Sequence, residues 1–299
     1  MTAHEPSILI ADDWFDYRLL DSGDGEKLEQ VGPYRFVRPE PQALWRRQRP
    51  NIWGDADAVF SAASDAEEEA GRWRFAKPLP ETWPVSWDGL SFLSRPTPFR
   101  HLAFFPEHSV HWRYAAEAIQ SVKREQPAEL LNLFGYTGLA SLAAARAGAR
   151  VTHVDASKKA IGYARENQTA AGLDGAPIRW ICDDAHAFVH REIRRGRRYD
   201  GIVLDPPKFG RGPNGETWRL EEHLGELLRD CATLLGEERP GRFIILTLYA
   251  VRLSYLALAQ TARDALGFSG GTWEFGEMAL PHAEDARLLP TAIFARWRG

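Results

Sequence analysis

From Leu130 onward, short apolar runs alternate with stretches of helical period. Leu130 to Leu133 is an apolar run of strand length; it breaks into the turn Gly135 to Gly138, and the alanine-rich stretch Leu139 to Ala147 then reads as a helix. Arg150 to Asp155 is a second buried strand. Ser157 is placed to cap a helix that runs to about Ala171, where Gly172 stops it. Ile178 to Cys182 and Gly201 to Leu204 are the third and fourth strands, with helix over Phe188 to Arg195 between them. A helix over Trp218 to Leu235 and a fifth strand over Arg242 to Leu248 follow, and Glu274 to Leu280 and Thr291 to Trp297 would add edge strands. Strands alternating with helices over this length predict an α/β fold with a Rossmann-like, doubly wound, mostly parallel sheet.

The first 98 residues have a different rhythm. Ser7 to Ala11, Tyr34 to Val37, Ala58 to Ala62, Trp73 to Phe75 and Leu90 to Leu93 are short apolar or aromatic runs separated by Gly, Pro, Asp and Ser. This spacing predicts a smaller N-terminal antiparallel β domain, in which Ala58 to Ala62 pairs with Arg72 to Phe75 across the acidic segment Ser64 to Gly71. Trp45, Trp53, Trp73, Trp83 and Trp87 are concentrated here and read as core, although aromatics interleaved with arginines also suit stacking on bases. The prolines of Arg95 to Pro98 mark a linker, which gives domains at 1–98 and 99–299. Pro106 then opens a helix to about Arg124, with Glu107 in its first turn.

Composition narrows the class. The 299-residue chain lacks an 18-residue apolar stretch, and its N-terminus lacks the layout of a signal peptide, so a cytoplasmic protein without membrane association is expected. Two distant cysteines, Cys182 and Cys231, give neither a disulfide framework nor a metal cluster, and no metal is expected. A net charge of −4 argues against a protein that coats nucleic acid. The basic runs Arg46, Arg47, Arg49 and Arg191, Arg194, Arg195, Arg197, Arg198 read as solvated helix ends or as local patches.

Candidate chemistry gathers at the strand ends. Asp155, Asp183 or Asp184, and Asp205 close three consecutive strands and would line one carboxyl edge with the glycine turn. Asp155 lies 20 residues after Gly135, the interval at which a carboxylate reaches two ribose hydroxyls, which suits any adenosine-containing cofactor. The turn Gly135-Tyr136-Thr137-Gly138 lacks the full glycine set of a dinucleotide site. Asp205-Pro206-Pro207 suits transfer to nitrogen, the Asp205 carboxylate and Pro206 carbonyl accepting hydrogen bonds from an exocyclic amine. A nicotinamide-dependent oxidoreductase and a binding module that kept the fold are the alternatives.

Asn132 to Gly138, Asp155, Asp184-Ala185 and Asp205 to Phe209 together resemble the motifs of class I S-adenosylmethionine-dependent methyltransferases, in particular the bacterial family that modifies 23S ribosomal RNA of the large subunit. The resemblance covers roughly Arg100 to Trp297. It implies S-adenosylmethionine as cofactor, ribosomal RNA as substrate, and a site in which Asn132, Phe134, Gly135, Thr137 and Gly138 hold the methionine part. Asp155 would take the ribose hydroxyls and Asp184, with Ala185, the adenine edge; Tyr136, Ala156, Ser157 and Asp183 are further candidate cofactor-binding residues. Phe105 and Glu107 resemble an entry element over the cofactor. Lys208 stands where many amino-methylating enzymes have an aromatic residue and joins Asp205 and Pro206 as a candidate catalytic residue. Relatives that make 5-methylcytosine need a cysteine just after the fifth strand, where this chain has Thr247 to Ala250. Cysteine-dependent carbon methylation is therefore not expected, and the target is a nitrogen or an oxygen, of which nitrogen is the expectation, with protein or small-molecule acceptors as the alternative.

Overall fold

The computed structural model describes residues 5–62, 71–236, 239–249 and 251–299. Its strands are β1 (Ser7–Ile10), β2 (Tyr17–Gly23), β3 (Glu26–Val31), β4 (Tyr34–Pro39), β5 (Ala58–Ala62), β6 (Gly71–Phe75), β7 (Trp83–Trp87), β8 (Leu90–Ser94), β9 (Glu129–Leu133), β10 (Arg150–Asp155), β11 (Ile178–Cys182), β12 (Gly201–Leu204), β13 (Phe209–Arg211), β14 (Thr217–Arg219), β15 (Phe243–Tyr249), β16 (Thr272–Pro281) and β17 (Leu288–Arg298). Its α-helices are α1 (Ser109–Gln120), α2 (Leu139–Arg146), α3 (Lys158–Ala170), α4 (Ala185–Arg194), α5 (Leu220–Leu235) and α6 (Tyr255–Leu266). Contacts divide the chain into two compact units. The larger comprises residues 1–9, 110–278 and 292–299, and the smaller residues 10–109 and 279–291.

The larger unit is built on an eight-stranded sheet of order β1-β16-β17-β15-β12-β9-β10-β11. β15, β12, β9, β10 and β11 run parallel, Val203 opposite Asn132 and Thr152 opposite Leu131. Every residue of β12 is buried, as expected of a parallel strand covered on both faces. Phe188, Leu224, Leu228 and Leu258 cover one face; Ala115, Ile119, Ala144 and Ile245 meet in the core of the other. The C-terminal strands are not edge strands as expected: β17 pairs antiparallel with β15 and lies inside the sheet. β1 takes the edge instead of joining the small β domain. Gly276 of β16 makes that possible, because a Cβ there would stand 1.9 Å from the Ser7 carbonyl oxygen.

Local signals account for the helix ends. Ser157 and Asp184 cap α3 and α4 by accepting from the Ala160 and Ala187 N–H groups. Pro106 opens a single 3₁₀ turn ahead of α1, which stops at Gln120, four residues before the expected end. Arg124 instead donates from Nη1 to the Ile119 carbonyl, satisfying one of the last helix acceptors. α5 begins at Leu220, because Trp218, expected to be helical, belongs to the hairpin β13–β14.

In the smaller unit β2 to β6 form a second sheet. Its pairs are antiparallel except β4 and β5, which run parallel; β7 and β8 make a separate hairpin. The hairpin of β5 and β6 has the expected partners, and its connecting residues 63–70 lie outside the described residues. Arg95 to Pro98 folds back within this unit, with Arg95 N–H donating to Leu102 and Thr97 N–H to His101. Trp53, Trp83 and Trp87 are core, and Trp83 stacks on Phe36. Trp45 and Trp73 donate to the Ser22 and Thr97 carbonyls. The strands β2 and β3 do not read as strands because their buried faces are polar. Glu29 is fully buried, accepts a two-pronged contact from Arg38 at 2.7 and 2.9 Å, and receives the Tyr17 hydroxyl at 2.7 Å. Burial raises the Glu29 carboxyl, but Arg38 and Lys27 outweigh it and hold the group down at about 2.

A polar layer also lies inside the larger unit, under the turn after β9. Asn132 Nδ2 donates to Ser141 Oγ at 2.9 Å, and Ser141 Oγ lies 3.0 Å from His153 Nδ1. His153 is fully buried in the middle of β10, and burial pushes its imidazole down to about 3.

These two buried polar sites make opposite demands. Arg38→Met leaves the buried Glu29 carboxylate with only Lys27, 3.8 Å away, as a counter-charge, and is expected to destabilise the smaller unit by about 3–5 kcal/mol in denaturant unfolding, more than the Glu29→Gln, Arg38→Met double variant does. His153 is neutral when folded and takes up a proton near pH 6.5 when unfolded, so its contribution is intact above that pH and declines as the pH falls towards 3. Between pH 7 and pH 5 the loss should be about 2 kcal/mol. Urea midpoints across that range should therefore fall less steeply in His153→Gln than in the wild type.

Candidate active site

Parallel pairing places the ends of β9, β10, β11 and β12 on one edge, and with them the glycine turn, Asp155, Asp183, Asp184 and Asp205. The turn is tight and strained. Phe134 and Tyr136 both have left-handed backbone, at φ 56° and 49°, on either side of Gly135. Such conformations in non-glycine residues are costly and persist where the surroundings enforce them. Here enforcement comes from below: a Cβ on Gly135 would lie 2.3 Å from His153 Cε1 and 2.8 Å from Asn132 Nδ2. Gly135 N–H donates to the Val154 carbonyl, and Gly138 N–H returns to the Gly135 carbonyl. Gly138, at φ 86°, opens α2 and has the Trp180 ring beneath it.

Asp155 binds the turn to the second strand. Its Oδ2 accepts from Tyr136 N–H and its Oδ1 from Ser157 N–H, each at 2.8 Å. Burial raises the carboxyl above its ordinary value, and the two backbone N–H groups oppose that rise. A carboxylate has about four acceptor positions, so capacity remains for two hydroxyl donors after both backbone bonds. Ala156 follows in the same loop, and its carbonyl receives the Cys182 thiol.

The other predicted cofactor residues have varied positions. Asn132 is buried under the turn and engaged with Ser141. Asp184 accepts from Ala187 as the cap of α4, of which Ala185 is the first residue, and Asp183 pairs with Arg191 and accepts from Asp184 N–H. Thr137 is buried, and its carbonyl accepts from Asn167 Nδ2 of α3. Phe105 and Glu107 belong to the smaller unit. At the fourth strand end Asp205 is partly buried, Pro206 buried and Lys208 exposed.

Sequence reasoning missed the residues that hold this edge in place. Trp218 Nε1 donates to the Pro207 carbonyl at 2.6 Å, and its ring lies 5.0 Å from that of Phe134. One buried side chain thus joins the Asp205 loop to the glycine turn. Ser141, His153, Asn167 and Trp180 support the turn from beneath. A histidine within an apolar strand and a serine within an alanine-rich helix were the available signals. Of the cysteines, Cys231 is fully buried among leucines, where burial pushes its thiol up, and Cys182 is exposed at the end of β11.

Two acceptor carboxylates at the ends of neighbouring strands, flanking a strained glycine turn at a helix N-terminus, fit the hydroxyls of an adenosine and a small polar tail. Comparison with known proteins gives the class. Residues 60–264 match a family model described as S-adenosylmethionine-dependent methyltransferase. The crystal structure of an S-adenosylmethionine-dependent methyltransferase from Agrobacterium tumefaciens is similar over 99% of this chain and 94% of its own, with 49% identity and a TM-score of 0.93. Ribosomal RNA large subunit methyltransferase I of Klebsiella pneumoniae is 40% identical over 81 residues, 27% of this chain and 20% of that protein. Ribosomal RNA large subunit methyltransferase K/L of Pseudoalteromonas atlantica is 31% identical over 156 residues, 52% of this chain and again 20% of the relative. The matched region thus spans a fifth of those two relatives. The nicotinamide alternative falls with the family match, and the chain belongs to the S-adenosylmethionine-dependent methyltransferases.

Proposed function

We propose that the protein methylates ribosomal RNA at an exocyclic nitrogen, with the acceptor held at the Asp205 loop. The observation that carries this reading is Asp205-Pro206-Pro207 at the end of β12, next in the sheet to the strand that bears the glycine turn. The names of the ribosomal RNA methyltransferases matched in part by this chain support the substrate class. Such a substrate places the enzyme in the cytoplasm. Among the described residues no helix is long and apolar enough to cross a membrane.

The bound cofactor supplies a methyl group already activated on a sulfonium, so the protein's work is placement and proton handling. Asp155 accepts the ribose hydroxyls while its backbone bonds keep it oriented. The Asp205 carboxylate and Pro206 carbonyl accept the two amine N–H groups, which turns the nitrogen lone pair towards the methyl, and Asp205 receives the proton that the methylated nitrogen must shed. Trp218 fixes Pro207 and so the direction of the loop. A nitrogen acceptor needs no covalent attachment to the enzyme, in keeping with Thr247, Leu248 and Tyr249 at the end of β15 and with Cys231 sealed in the core. The smaller unit, with its paired β-strands, is the part we assign to holding the RNA.

Asp155→Ala is expected to weaken S-adenosylmethionine binding by about 10–100-fold in calorimetric titration, about 1.4–2.8 kcal/mol. Asp205→Ala should leave that affinity within about tenfold, about 1.4 kcal/mol, and abolish transfer of labelled methyl to ribosomal RNA. Equal loss of binding and transfer would assign Asp205 to the cofactor. Mass spectrometry of ribosomal RNA from cells lacking the protein should show one missing methylated base, and unchanged RNA would favour protein or small-molecule acceptors.

A further inference from the structure

We propose that α4 and α5 together carry a site for a first-row divalent transition-metal ion, of which Zn²⁺ is the type, with His190, Glu226 and Asp230 as its ligands. Glu226 and Asp230 are four residues apart on α5 and therefore share one face, towards the His190 side chain of α4. One donor atom from each of the three lies within 4.8 Å of the other two, and His190 Nε2 is 2.8 Å from Asp230 Oδ2. Donor atoms around an ion with bonds of about 2.1 Å stand roughly 3.0–3.5 Å apart, so small rotations bring the set to coordinating distance.

The polar atoms there are not otherwise satisfied. Asp230 Oδ2 is buried and, despite its closeness to His190, has no partner with hydrogen-bond geometry. Glu226 has no hydrogen bond or ion pair among the described residues. His186, one turn before His190 on α4, stacks its ring on that of His190 at 5.6 Å, and its Nε2 is likewise buried without a partner. One imidazole with two carboxylates is a mixed nitrogen and oxygen set, suited to zinc and its neighbours rather than to Mg²⁺ or Ca²⁺, which prefer all-oxygen cages. The side chains of His190 and Asp230 are 44% and 22% exposed, which leaves a path for the ion and positions for water.

Such an ion would staple two helices that both start near the reactive edge. α4 begins beside Asp184, and α5 follows the hairpin of Trp218. His186 and His223 flank the Trp218 ring at 5.8 and 5.6 Å, so an ion between the helices would hold the packing behind the Asp205 loop. This role does not depend on the nature of the methyl acceptor.

The test uses the full chain without a polyhistidine tag, stripped of metal by a chelator. Zn²⁺ is titrated by calorimetry, Co²⁺ is followed by its visible absorption, and thermal melts are recorded with Zn²⁺ and with Mg²⁺. One equivalent of Zn²⁺ should bind and raise the melting temperature, while Mg²⁺ should not. Affinity should fall by about tenfold or more in His190→Ala and in Glu226→Gln, and Cys182→Ser should leave it unchanged. If His190→Ala does not fold, Glu226→Gln carries the test, because Glu226 is exposed and makes no hydrogen bond or ion pair among the described residues. Absence of Zn²⁺ binding, or binding as tight in the His190 and Glu226 variants as in the wild type, overturns the proposal.

Discussion

The structure of the site depends on one close approach, the backbone of Gly135 lying on the His153 ring. No side chain fits between them, so the chain leaving β9 must turn at that point. The turn then carries Phe134 and Tyr136 through left-handed backbone and delivers Tyr136 N–H to Asp155. What lies beneath is polar but uncharged, since burial keeps the His153 imidazole neutral. A charged imidazole there would face a large desolvation penalty.

From that point the carboxylate-lined edge follows by sheet geometry. Parallel neighbours bring every strand end to the same side, so carboxylates remote in sequence become neighbours through β12, β9, β10 and β11. The Trp218 indole adds a cross-tie between the Asp205 loop and Phe134 at the glycine turn. The glycine turn and the Asp205 loop are thus held in one packed assembly, which suits a reaction whose catalysis consists mainly of alignment.

The strands around the site were legible because parallel strands are apolar on both faces and end in abrupt punctuation. Arg150–Asp155, Ile178–Cys182 and Gly201–Leu204 have the predicted bounds for this reason. Asp155 was legible through its spacing from Gly135. The supports were not, because Ser141, His153 and Asn167 are polar residues in buried places and make sense only once their partners are known. Trp218 was assigned to a helix because its hairpin strands have three residues each, too short to show a period. In the smaller unit the buried Glu29, Lys27 and Asp21 concealed β2 and β3, and the C-terminal strands had a correct pattern but no signal of their place in the sheet.

The most direct test of the central claim is a crystal structure with S-adenosylhomocysteine bound. The account predicts both ribose hydroxyls within hydrogen-bond distance of the Asp155 carboxylate, the amino-acid tail over the turn from Phe134 to Gly138, and the sulfur facing Asp205. A ligand seated away from that turn, or a ribose contacted by other residues with Asp155 engaged only with Tyr136 and Ser157, would contradict it.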